Sequence, residues 1–464
     1  MNQIFYAIVL IAVVFAAITG TPAEVGKAAL DAAKASVDLA IGLAGAISLF
    51  LGLMAVVEAA GGLDAMARLI RPLLVRLFPD VPADHPAMGA IIMNLSANVL
   101  GLGNAATPFG LKAMKELDSL NEEKGTATDA MVLFLAINTS GVAVLPTGVI
   151  ALRALNGSTD PASIFPTTVL ATGLSTLAGV TVALMLAALM PRDRAGSGGV
   201  GEALRRAIAT ELFVIKVLGA STLTALAAGA LCSALVGLIG AAGLPVGAAA
   251  SLGLALAARR ALPPALRELS GVVLFGAAMM GLVFVVYTAG EAASAWIVPA
   301  LILGMLTVGV ARKVKVYEVF TKGAKEGFTM ALTIIPYLVA ILAAVGMLRA
   351  SGGLERIVGP ISKLTAPLGL PGEVLPLALL RPLTGSGSFA LTTDLIKQFG
   401  PDSYIGQLAS TMNGSSETTF YVLAVYFGSV GVSRARHAVA AGLAADVAGV
   451  IGSVLAVKLL LGQG

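Results

Sequence analysis

The sequence predicts an all-α protein that crosses a membrane many times and is built from two inverted repeats. Composition is the first indication: 57% of the 464 residues are hydrophobic and 12% are charged, against roughly 25% charged residues in a soluble protein. The second indication is a set of polar, glycine-containing breaks, which interrupt the apolar segments at matching places in two parts of the chain. Such paired breaks are typical of transporters with re-entrant hairpins and broken helices around a central scaffold.

The first repeat is predicted to occupy residues 1–191. Residues 4–18 are apolar without a basic start, so we expect a first helix that is not removed as a signal peptide. The polar stretch 21–36 is expected to be a loop before a helix over 39–57, which has about the 20 residues that a span needs. An amphipathic basic segment with Arg68, Arg71 and Arg76 follows and is closed by prolines at 79 and 82. A short apolar stretch over 88–93 leads into a polar break over 94–108 and a charged, loop-like stretch over 112–129. Apolar segments are predicted over 130–152 and 164–190, and the first contains a second polar break over 138–141.

The remaining chain is predicted to hold a linker, a scaffold and the second repeat. Residues 192–208 are rich in glycine, serine and arginine, which favours a linker. Residues 209–311 contain three or four apolar segments with few polar groups, which indicates a transmembrane scaffold. Residues 312–464 begin with a basic loop over 312–325 and then repeat the order of the first part.

Spacing and charge indicate that the two parts are inverted copies. From a lysine to a Gly-Gly-Leu motif the chain advances 27 positions in both parts, 34 to 61 and 325 to 352. The first apolar helix is followed by three arginines between 68 and 76, whereas its counterpart is preceded by five basic residues between 312 and 325. Because basic loops stay on the cytoplasmic side, the two helices run in opposite directions. This assignment predicts a plasma (inner) membrane protein with a cytoplasmic N-terminus.

The polar breaks carry the side chains that are suited to binding a solute. Asparagine offers donors and acceptors, as serine and threonine hydroxyls do on a smaller scale, and helix ends within the membrane expose N–H groups that favour anions. The alternative is that these side chains join helices to one another. The candidate solute-binding residues are Asn94, Ser96, Asn98, Asn104, Thr107, Asn138, Thr139, Ser140, Arg381, Thr384, Ser386, Ser388, Asn413, Ser415, Ser416, Glu417 and Thr418.

Three charged residues of the second repeat lie in apolar surroundings. Arg381 is a functional candidate by its position: it would hold a carboxylate, pair with Glu417 or Asp394, or reach the lipid headgroups. Glu417 would coordinate a coupling cation, Na⁺ or H⁺, bond a ligand hydroxyl, or pair with Arg381. Asp446 would belong to a proton path or pair with an arginine at 434 or 436.

Other functional classes find no support in the sequence. One cysteine, Cys232, and two separated histidines, His85 and His437, give no metal-site spacing. The Gly385-Ser386-Gly387-Ser388 loop has no histidine placed to activate a nucleophile. We therefore expect no enzyme activity, no metal, no cofactor beyond a coupling ion, and no nucleic-acid partner.

The residues around the breaks resemble those of the spore maturation proteins A and B, whose domains are called nucleoside-recognition or Gate domains. The matching residues are 94–98, 101–114 and 137–140 for protein A, and 381–388, 400–403 and 413–432 for protein B. The resemblance covers about 1–191 and 310–464. It implies a multi-pass inner-membrane protein that is similar to concentrative nucleoside transporters and, in spore formers, is linked to dehydration of the spore core.

Two functional hypotheses follow. The first is a secondary transporter of a small polar solute, a nucleoside or base or a small organic anion, bound in a wet cavity that the breaks of both repeats line. The second is a non-transporting membrane scaffold or sensor that acts with a partner protein, in which the breaks bond to each other and leave no cavity. The expected partners are the solute and the lipid bilayer, and a homo-oligomer formed through the middle segment is compatible with both hypotheses.

Overall fold

The structure, a computed structural model, describes residues 2–99, 103–141, 146–190 and 297–462. Within these ranges sixteen α-helices and three short 3₁₀ helices form the fold, with one isolated bridge between Thr126 and Arg434. The α-helices are α1 Asn2–Thr19, α2 Pro22–Ala59, α3 Gly62–Leu77, α4 Pro86–Val99, α5 Gly103–Ser119, α6 Asp129–Thr139, α7 Thr147–Leu155, α8 Ile164–Leu189, α9 Ile297–Ala311, α10 Val316–Ala350, α11 Gly353–Thr365, α12 Leu375–Leu380, α13 Gly385–Phe399, α14 Tyr404–Ser415, α15 Thr419–Gly428 and α16 Ala438–Leu461. The predicted linker, and all of the predicted scaffold except α9, lie outside the described residues.

The described helices confirm the all-α class and the duplicated order. Helices α2 to α8 comprise a long helix, an amphipathic helix, a helical hairpin, two short helices and a final long helix. Helices α10 to α16 repeat that sequence of elements one by one. Each repeat therefore consists of seven helices among the described residues.

Three stretches that were expected to be loops are helical over part or nearly all of their length. Helix α2 begins at Pro22 and takes in nearly all of the polar stretch 21–36. Helix α5 continues to Ser119, into the charged stretch, and α10 begins at Val316, within the basic one. Alanine, lysine and glutamate recur in all three stretches and are among the strongest helix formers. Their polarity marks an exposed helix surface, so the loop predictions were wrong for these parts, whereas residues 120–128 and 312–315 are not helical, as predicted.

The two long helices end in the same way. Gly61 follows α2 with φ 80° and Gly352 follows α10 with φ 67°, a left-handed conformation that glycine adopts without steric cost. The chain then turns into the amphipathic helices α3 and α11, and α3 leaves the last part of α2 at an angle of 71°. The shared glycine turn is local support for the duplication.

The long helices α2 and α10 pack against each other in antiparallel fashion. Gly327 lies on Ser48, where a Cβ atom would come within 2.6 Å of the Ser48 Cα. Further along α10, Gly346 lies against Ala28, where a Cβ atom would be 3.5 Å from the Ala28 carbonyl oxygen. Residue numbers rise along α10 while they fall along α2, so the first helices of the two repeats run in opposite directions.

The last helices of the repeats, α8 and α16, are also antiparallel. Gly179 packs on Ala445, and Gly452 packs on Ala171. The Ser175 Oγ donates to the Ala445 carbonyl at 2.8 Å. Small residues allow this close approach, as in other membrane helix pairs. Because both pairs of corresponding helices are antiparallel, the repeats are inverted, as charge and spacing predicted.

The described part of the chain contains two helices long and apolar enough to cross a membrane, Pro161–Leu189 and Ala438–Leu461, and the bent pair of α2 and α3 is a third candidate.

The repeats also share their hydrophobic cores. One core combines Leu95 and Phe134 with Tyr426 and Ala441. The fold is therefore one interlocked unit across the two repeats and not two separate bundles.

Candidate functional site

Two broken helices cross at the centre of the candidate site. In the first repeat α6 ends before a break that leads to α7, and in the second repeat α14 ends before a break that leads to α15. Gly141, with φ 82°, lies directly on Ser416, where a Cβ atom would come within 2.9 Å of the Ser416 Cα. The Glu417 N–H donates to the Thr139 carbonyl at 2.8 Å. The two breaks therefore meet backbone to backbone, although residues 142–145 are outside the described part.

The carbonyl end of α6 is satisfied by hydroxyl groups of the final helix α8. The Thr172 hydroxyl donates to the Ser140 carbonyl, and the Thr176 hydroxyl donates to Ser140 Oγ, both at 2.9 Å. In the second repeat Ser415 and Ser453 of α16 share a hydrogen bond of 3.3 Å between their hydroxyl oxygens. Since helix ends within a membrane must find internal partners, the Thr172 hydroxyl supplies one for the end of α6, and the Ser415–Ser453 bond joins the end of α14 to α16.

A buried amide network fills the first-repeat side of the crossing. The Asn98 Nδ2 donates to the Asn138 Oδ1 at 2.9 Å, and the Tyr426 hydroxyl donates to the same oxygen at 3.4 Å. The Asn94 Nδ2 donates to the Ala106 carbonyl at 2.7 Å and to the Tyr426 hydroxyl at 3.3 Å. Among the described residues, the buried Asn94 Oδ1 has no hydrogen-bond partner. Within the described part of the chain, the network thus leaves the Asn94 Oδ1 as an acceptor without a donor.

Tyr426 is a central residue that the sequence analysis missed. It belongs to the second repeat, but its hydroxyl joins two asparagines of the first repeat, and its ring stacks on Phe134 with 5.7 Å between ring centroids. Its signal in the sequence was slight: it is one of two tyrosines in an otherwise apolar stretch. Tyrosine serves here because a buried ring with a hydroxyl group packs and hydrogen-bonds at once.

Removing the Tyr426 hydroxyl tests this network. We expect Tyr426→Phe to lower the free energy of unfolding by about 1 kcal/mol, because its hydrogen bonds are lost while the ring stack remains. Thermal unfolding of the purified protein in detergent measures the change. Tyr421→Phe is the matched control, since Tyr421 lies on the same helix but is 58% exposed, and an equal effect of both substitutions would contradict the assigned role.

Arg381 forms the second-repeat side of the crossing. It lies at the end of α12 with 6% of its surface exposed, and its Nη2 donates to the Asn413 carbonyl at 2.9 Å. Its Nε has no partner among the described residues. The predicted pair with Asp394 was wrong, because Asp394 instead binds Arg349 at 3.0 Å. Glu417 lies in the break beside Arg381 but is exposed and forms no ion pair with it.

Asp446 lies on α16 close to the start of α15. It is 6% exposed, and its Oδ2 accepts a hydrogen bond of 2.7 Å from the Thr419 hydroxyl. The other carboxylate oxygen, Oδ1, has no partner among the described residues. The predicted pairing with Arg434 or Arg436 was wrong, because those arginines bind Glu123 and Asp129.

The N-termini of α13 and α15 meet beside Arg381. Thr384 caps α13 by accepting a hydrogen bond of 3.2 Å from the Gly387 N–H. Gly385 is close enough to α15 that a Cβ atom would lie 3.0 Å from the Thr418 hydroxyl. The Phe420 N–H donates to the Pro382 carbonyl at 2.9 Å. The site therefore combines a guanidinium group with two positive helix ends.

The other predicted side chains contribute differently. Ser96 and Ser388 are fully buried, and each donates to a carbonyl four positions earlier in the chain. Thr139 likewise bonds the Ala136 carbonyl, so these three hydroxyls are occupied locally. The Asn413 Nδ2 donates to the Thr392 hydroxyl. Thr107 and Ser386 are half-buried, and the Asn104 side chain is outside the described part.

A buried ion pair that the sequence analysis missed joins the repeats at one end of the broken helices. The Arg153 side chain is 0% exposed, and its Nη2 donates to the Asp402 Oδ1 at 2.8 Å. The same side chain donates to the carbonyls of Pro161 and Pro401 and to the Ser163 hydroxyl. Arg153 lies in the last turn of α7 of the first repeat, while Asp402 precedes α14 of the second. We call this pair the Arg153 clasp.

A second ion pair occupies the repeat-related position. Arg436 precedes α16, and its Nη1 donates to the Asp129 carboxylate at the start of α6 at 2.6 Å. The Arg436 guanidinium also donates to the carbonyls of Ala127 and Met190. The start of α6 in the first repeat is therefore bound to an arginine of the second repeat, and the start of α14 in the second repeat is bound to an arginine of the first.

The Arg153 clasp predicts a dependence of stability on pH. Burial alone would raise the pKa of Asp402, but hydrogen bonds from Ser158 and Thr159 and the charge of Arg153 together lower it below its usual value. A carboxyl group whose pKa is lowered by folding stabilises the protein above its unfolded pKa of about 3.9, and this contribution is lost as pH falls through the folded pKa. We expect the difference in Tm between wild type and Asp402→Asn to hold from pH 7 to 5 and to shrink below about pH 4. A difference that stays constant down to pH 3 would argue against an ionised Asp402.

The described part of the chain also contains a groove of about 470 Å³ between α2 and α10. Its lining residues are Ser48, Thr321, Ala324, Lys325, Phe328 and Thr329. None of them belongs to the breaks, so this groove is separate from the crossing.

Antiparallel repeats, paired broken helices and buried polar groups at their crossing define a helical membrane protein of inverted-repeat architecture. The chain matches the family described as Gate: Nucleoside recognition over residues 40–156 and 331–433. It is 48% identical over 166 residues to Spore maturation protein B of Bacillus subtilis (strain 168), covering 93% of that protein and 36% of this chain. It is 42% identical over 182 residues to Spore maturation protein A of the same organism, covering 93% of that protein and 39% of this chain. The chain therefore belongs to the family of spore maturation proteins A and B. No solved structure matches it.

Proposed function

We propose that the protein is a secondary transporter of a small polar solute and that the solute binds at the crossing of the two broken helices. The solute is either a nucleoside or base or a small organic anion. The observation that carries the proposal is a set of buried polar atoms at that crossing. The Asn94 Oδ1, the Arg381 Nε and the Asp446 Oδ1 all lack partners among the described residues. Buried polar groups are usually hydrogen-bonded, so unpartnered ones on the helices that meet at the crossing support a ligand that completes them.

The inverted repeats support transport as the activity of this site. In transporters with inverted repeats, substrate sites lie where broken helices of the two repeats meet, and access alternates as one part rocks against the other. The antiparallel pairs of α2 with α10 and of α8 with α16 provide two-fold related halves for such a motion. The family description, nucleoside recognition, is compatible with a solute that has several hydrogen-bonding edges.

The alternative proposal is a non-transporting membrane scaffold or sensor that acts with a partner protein. The direct hydrogen bond from the Glu417 N–H to the Thr139 carbonyl and the packing of Gly141 on Ser416 favour it, because they close the two breaks onto each other. The names of the relatives support a role for either activity in spore maturation or in the physiology of the cell envelope. We place the protein in the plasma membrane with a cytoplasmic N-terminus on the basis of its charged segments.

Ligand-induced thermal stabilisation tests the proposal. The purified protein is melted with nucleosides, bases, amino acids and aromatic dicarboxylates, with and without Na⁺. A ligand that binds only the folded state, present at a concentration of 100 times its Kd, adds about 2.7 kcal/mol to the free energy of unfolding. We expect one class to raise the Tm of the wild type, and Asn138→Ala and Arg381→Ala to abolish that shift.

Thr181→Val is the control variant, because among the described residues the Thr181 hydroxyl bonds only the Leu177 carbonyl of its own helix, α8. It should retain the ligand-induced shift. The ligand is then tested for flux into liposomes that contain the protein. A protein that melts cooperatively but is stabilised by no ligand favours the scaffold, and binding without flux favours the sensor.

A further inference from the structure

Arg381 and Asp446 are a buried cation and a buried anion on neighbouring elements. Asp446 accepts a hydrogen bond from Thr419, and the next residue, Phe420, donates its N–H to the carbonyl of Pro382, which follows Arg381. Each charged residue is only 6% exposed, and each acts electrostatically on the other. Neither side chain is saturated: the Arg381 Nε and the Asp446 Oδ1 have no partner among the described residues. Charges in membrane segments are costly and mark ion or substrate paths. Two buried charges that each have one atom without a hydrogen-bond partner indicate a binding site whose ligand can be exchanged.

The neighbouring backbone favours an anion as that occupant. Two helix N-termini, those of α13 and α15, meet at Gly385 and Thr418 beside Arg381. Helix N-termini carry partial positive charge, and they keep it here although the Phe420 N–H already donates to the Pro382 carbonyl and the Gly387 N–H to the Thr384 hydroxyl. Together with the guanidinium group they form a positive cradle in which Asp446 is the buried counter-charge.

The surroundings of Asp446 leave Arg381 as its main ionic neighbour. Helices α8, α14, α6 and α15 pack against α16. Helix α8 has no titratable residue, α14 has only Tyr404 at its start, α6 has only Asp129 at its far end in the pair with Arg436, and α15 has Tyr421 and Tyr426. Glu417, in the break before α15, is exposed and acts on Arg381.

We propose that Asp446 is the proton-binding residue of the solute site and that the solute is a carboxylate anion held by Arg381 and the N-termini of α13 and α15. This inference rests on the proposed transport function and specifies its substrate class and coupling ion. When Asp446 is ionised, it neutralises Arg381 and excludes a second anion. When Asp446 takes a proton, the guanidinium group loses its counter-charge and a solute carboxylate replaces it.

The exchange is balanced in charge. One proton adds to the Asp446 Oδ1, no covalent bond to carbon changes, and one carboxylate enters. Thr419 keeps its hydrogen bond to Oδ2 in both states. A monocarboxylate would therefore bind together with one proton, with no net change of charge in the site.

Infrared spectroscopy of the purified protein tests the proton part without any ligand. The C=O stretching band of a protonated carboxyl group is followed between pH 4 and 10, and the contribution that Asp446→Asn removes is assigned to Asp446. We expect this band to titrate, and Arg381→Gln to move its midpoint upward by about one pH unit or more, since the ionised form loses its cation. Arg381→Lys should restore most of the wild-type midpoint.

Asp394→Asn is the control, because its partner is Arg349 and it should leave the Asp446 band unchanged. An Asp446 band that never titrates, or a midpoint that Arg381→Gln leaves in place, would overturn the proton assignment. Na⁺ that removes the band at constant pH would overturn it too and assign a metal cation instead.

The anion part is tested on the same band with benzoate and pyridine-2,6-dicarboxylate as probes and uridine as the uncharged comparison. We expect a carboxylate probe to raise the midpoint in the wild type and in Asp394→Asn, but not in Arg381→Gln. Carboxylates without effect, or uridine with an equal effect, would overturn the anion assignment. Because the ligand-free titration needs no transport, it distinguishes failure of the proton assignment from failure of the transport proposal.

Discussion

Replacing Arg153 with methionine is expected to lower the free energy of unfolding by about 3 kcal/mol. Removal of one partner of a buried ion pair costs roughly 3–5 kcal/mol. The cost is at the lower end here because the remaining Asp402, with 35% of its side chain exposed, is partly solvated by water. Methionine keeps much of the side-chain volume, so the loss reports hydrogen bonds and charge more than packing. The substitution also leaves the carbonyls of Pro161 and Pro401 without their donor. Thermal and denaturant unfolding in detergent measure the effect.

Arg349→Met is the control for this prediction. Arg349 also binds an aspartate, Asp394, at 3.0 Å, but both side chains are about one-third exposed. An exposed pair contributes about 1 kcal/mol or less, so this variant should be much closer to wild type. If the two variants lose equal stability, the Arg153 clasp is an ordinary surface pair.

Replacing Gly141 with alanine is expected to separate the two breaks and to abolish ligand-induced stabilisation. A non-glycine residue held in a left-handed conformation costs on the order of 1–3 kcal/mol, and the new Cβ atom would also lie 2.9 Å from the Ser416 Cα. Backbone cannot rotate away as a side chain can, so the crossing has to open. We expect a loss of more than about 3 kcal/mol from strain and overpacking together.

Gly157→Ala isolates the strain from the contact. Gly157 has φ 77°, similar to Gly141, but nothing lies within 4 Å of a Cβ atom there. The Gly157→Ala variant should lose about 1 kcal/mol of the free energy of unfolding and should keep its stabilisation by the ligand. Equal behaviour of the two variants would show that Gly141 is needed only for its conformation and that the crossing tolerates separation.

The repeats and their inversion were predictable from sequence because both leave local signatures. Glycine motifs such as the one at Gly61, polar breaks and basic segments recur at matching positions, and each has a direct physical meaning in a membrane. The polar stretch at 21–36 was assigned wrongly for a related reason. Charge in a membrane protein indicates solvent or headgroups, but alanine, lysine and glutamate form helix in that environment as readily as apolar residues do.

The partners of the charged residues were not predictable, because they depend on contacts across the repeats. Arg153 and Asp402 are 249 positions apart, and nothing local distinguishes Arg153 from a residue at a membrane boundary. Tyr426 joins asparagines on two helices of the other repeat. By contrast, Asn98 and Asn138 were predicted as site residues, since amide side chains in an apolar segment require partners, although their mutual hydrogen bond required the structure.

The reciprocal anchoring of the broken helices has a consequence for how this protein has to be made. The start of α6 is held by Arg436 and the start of α14 is held by Arg153. Each half therefore contributes an arginine that pairs with an aspartate of the other half. Neither half alone contains both members of either ion pair, and an excess of one half would leave unmatched molecules in the bilayer. A single reading frame that encodes both halves fixes their stoichiometry at one to one and makes assembly independent of expression level.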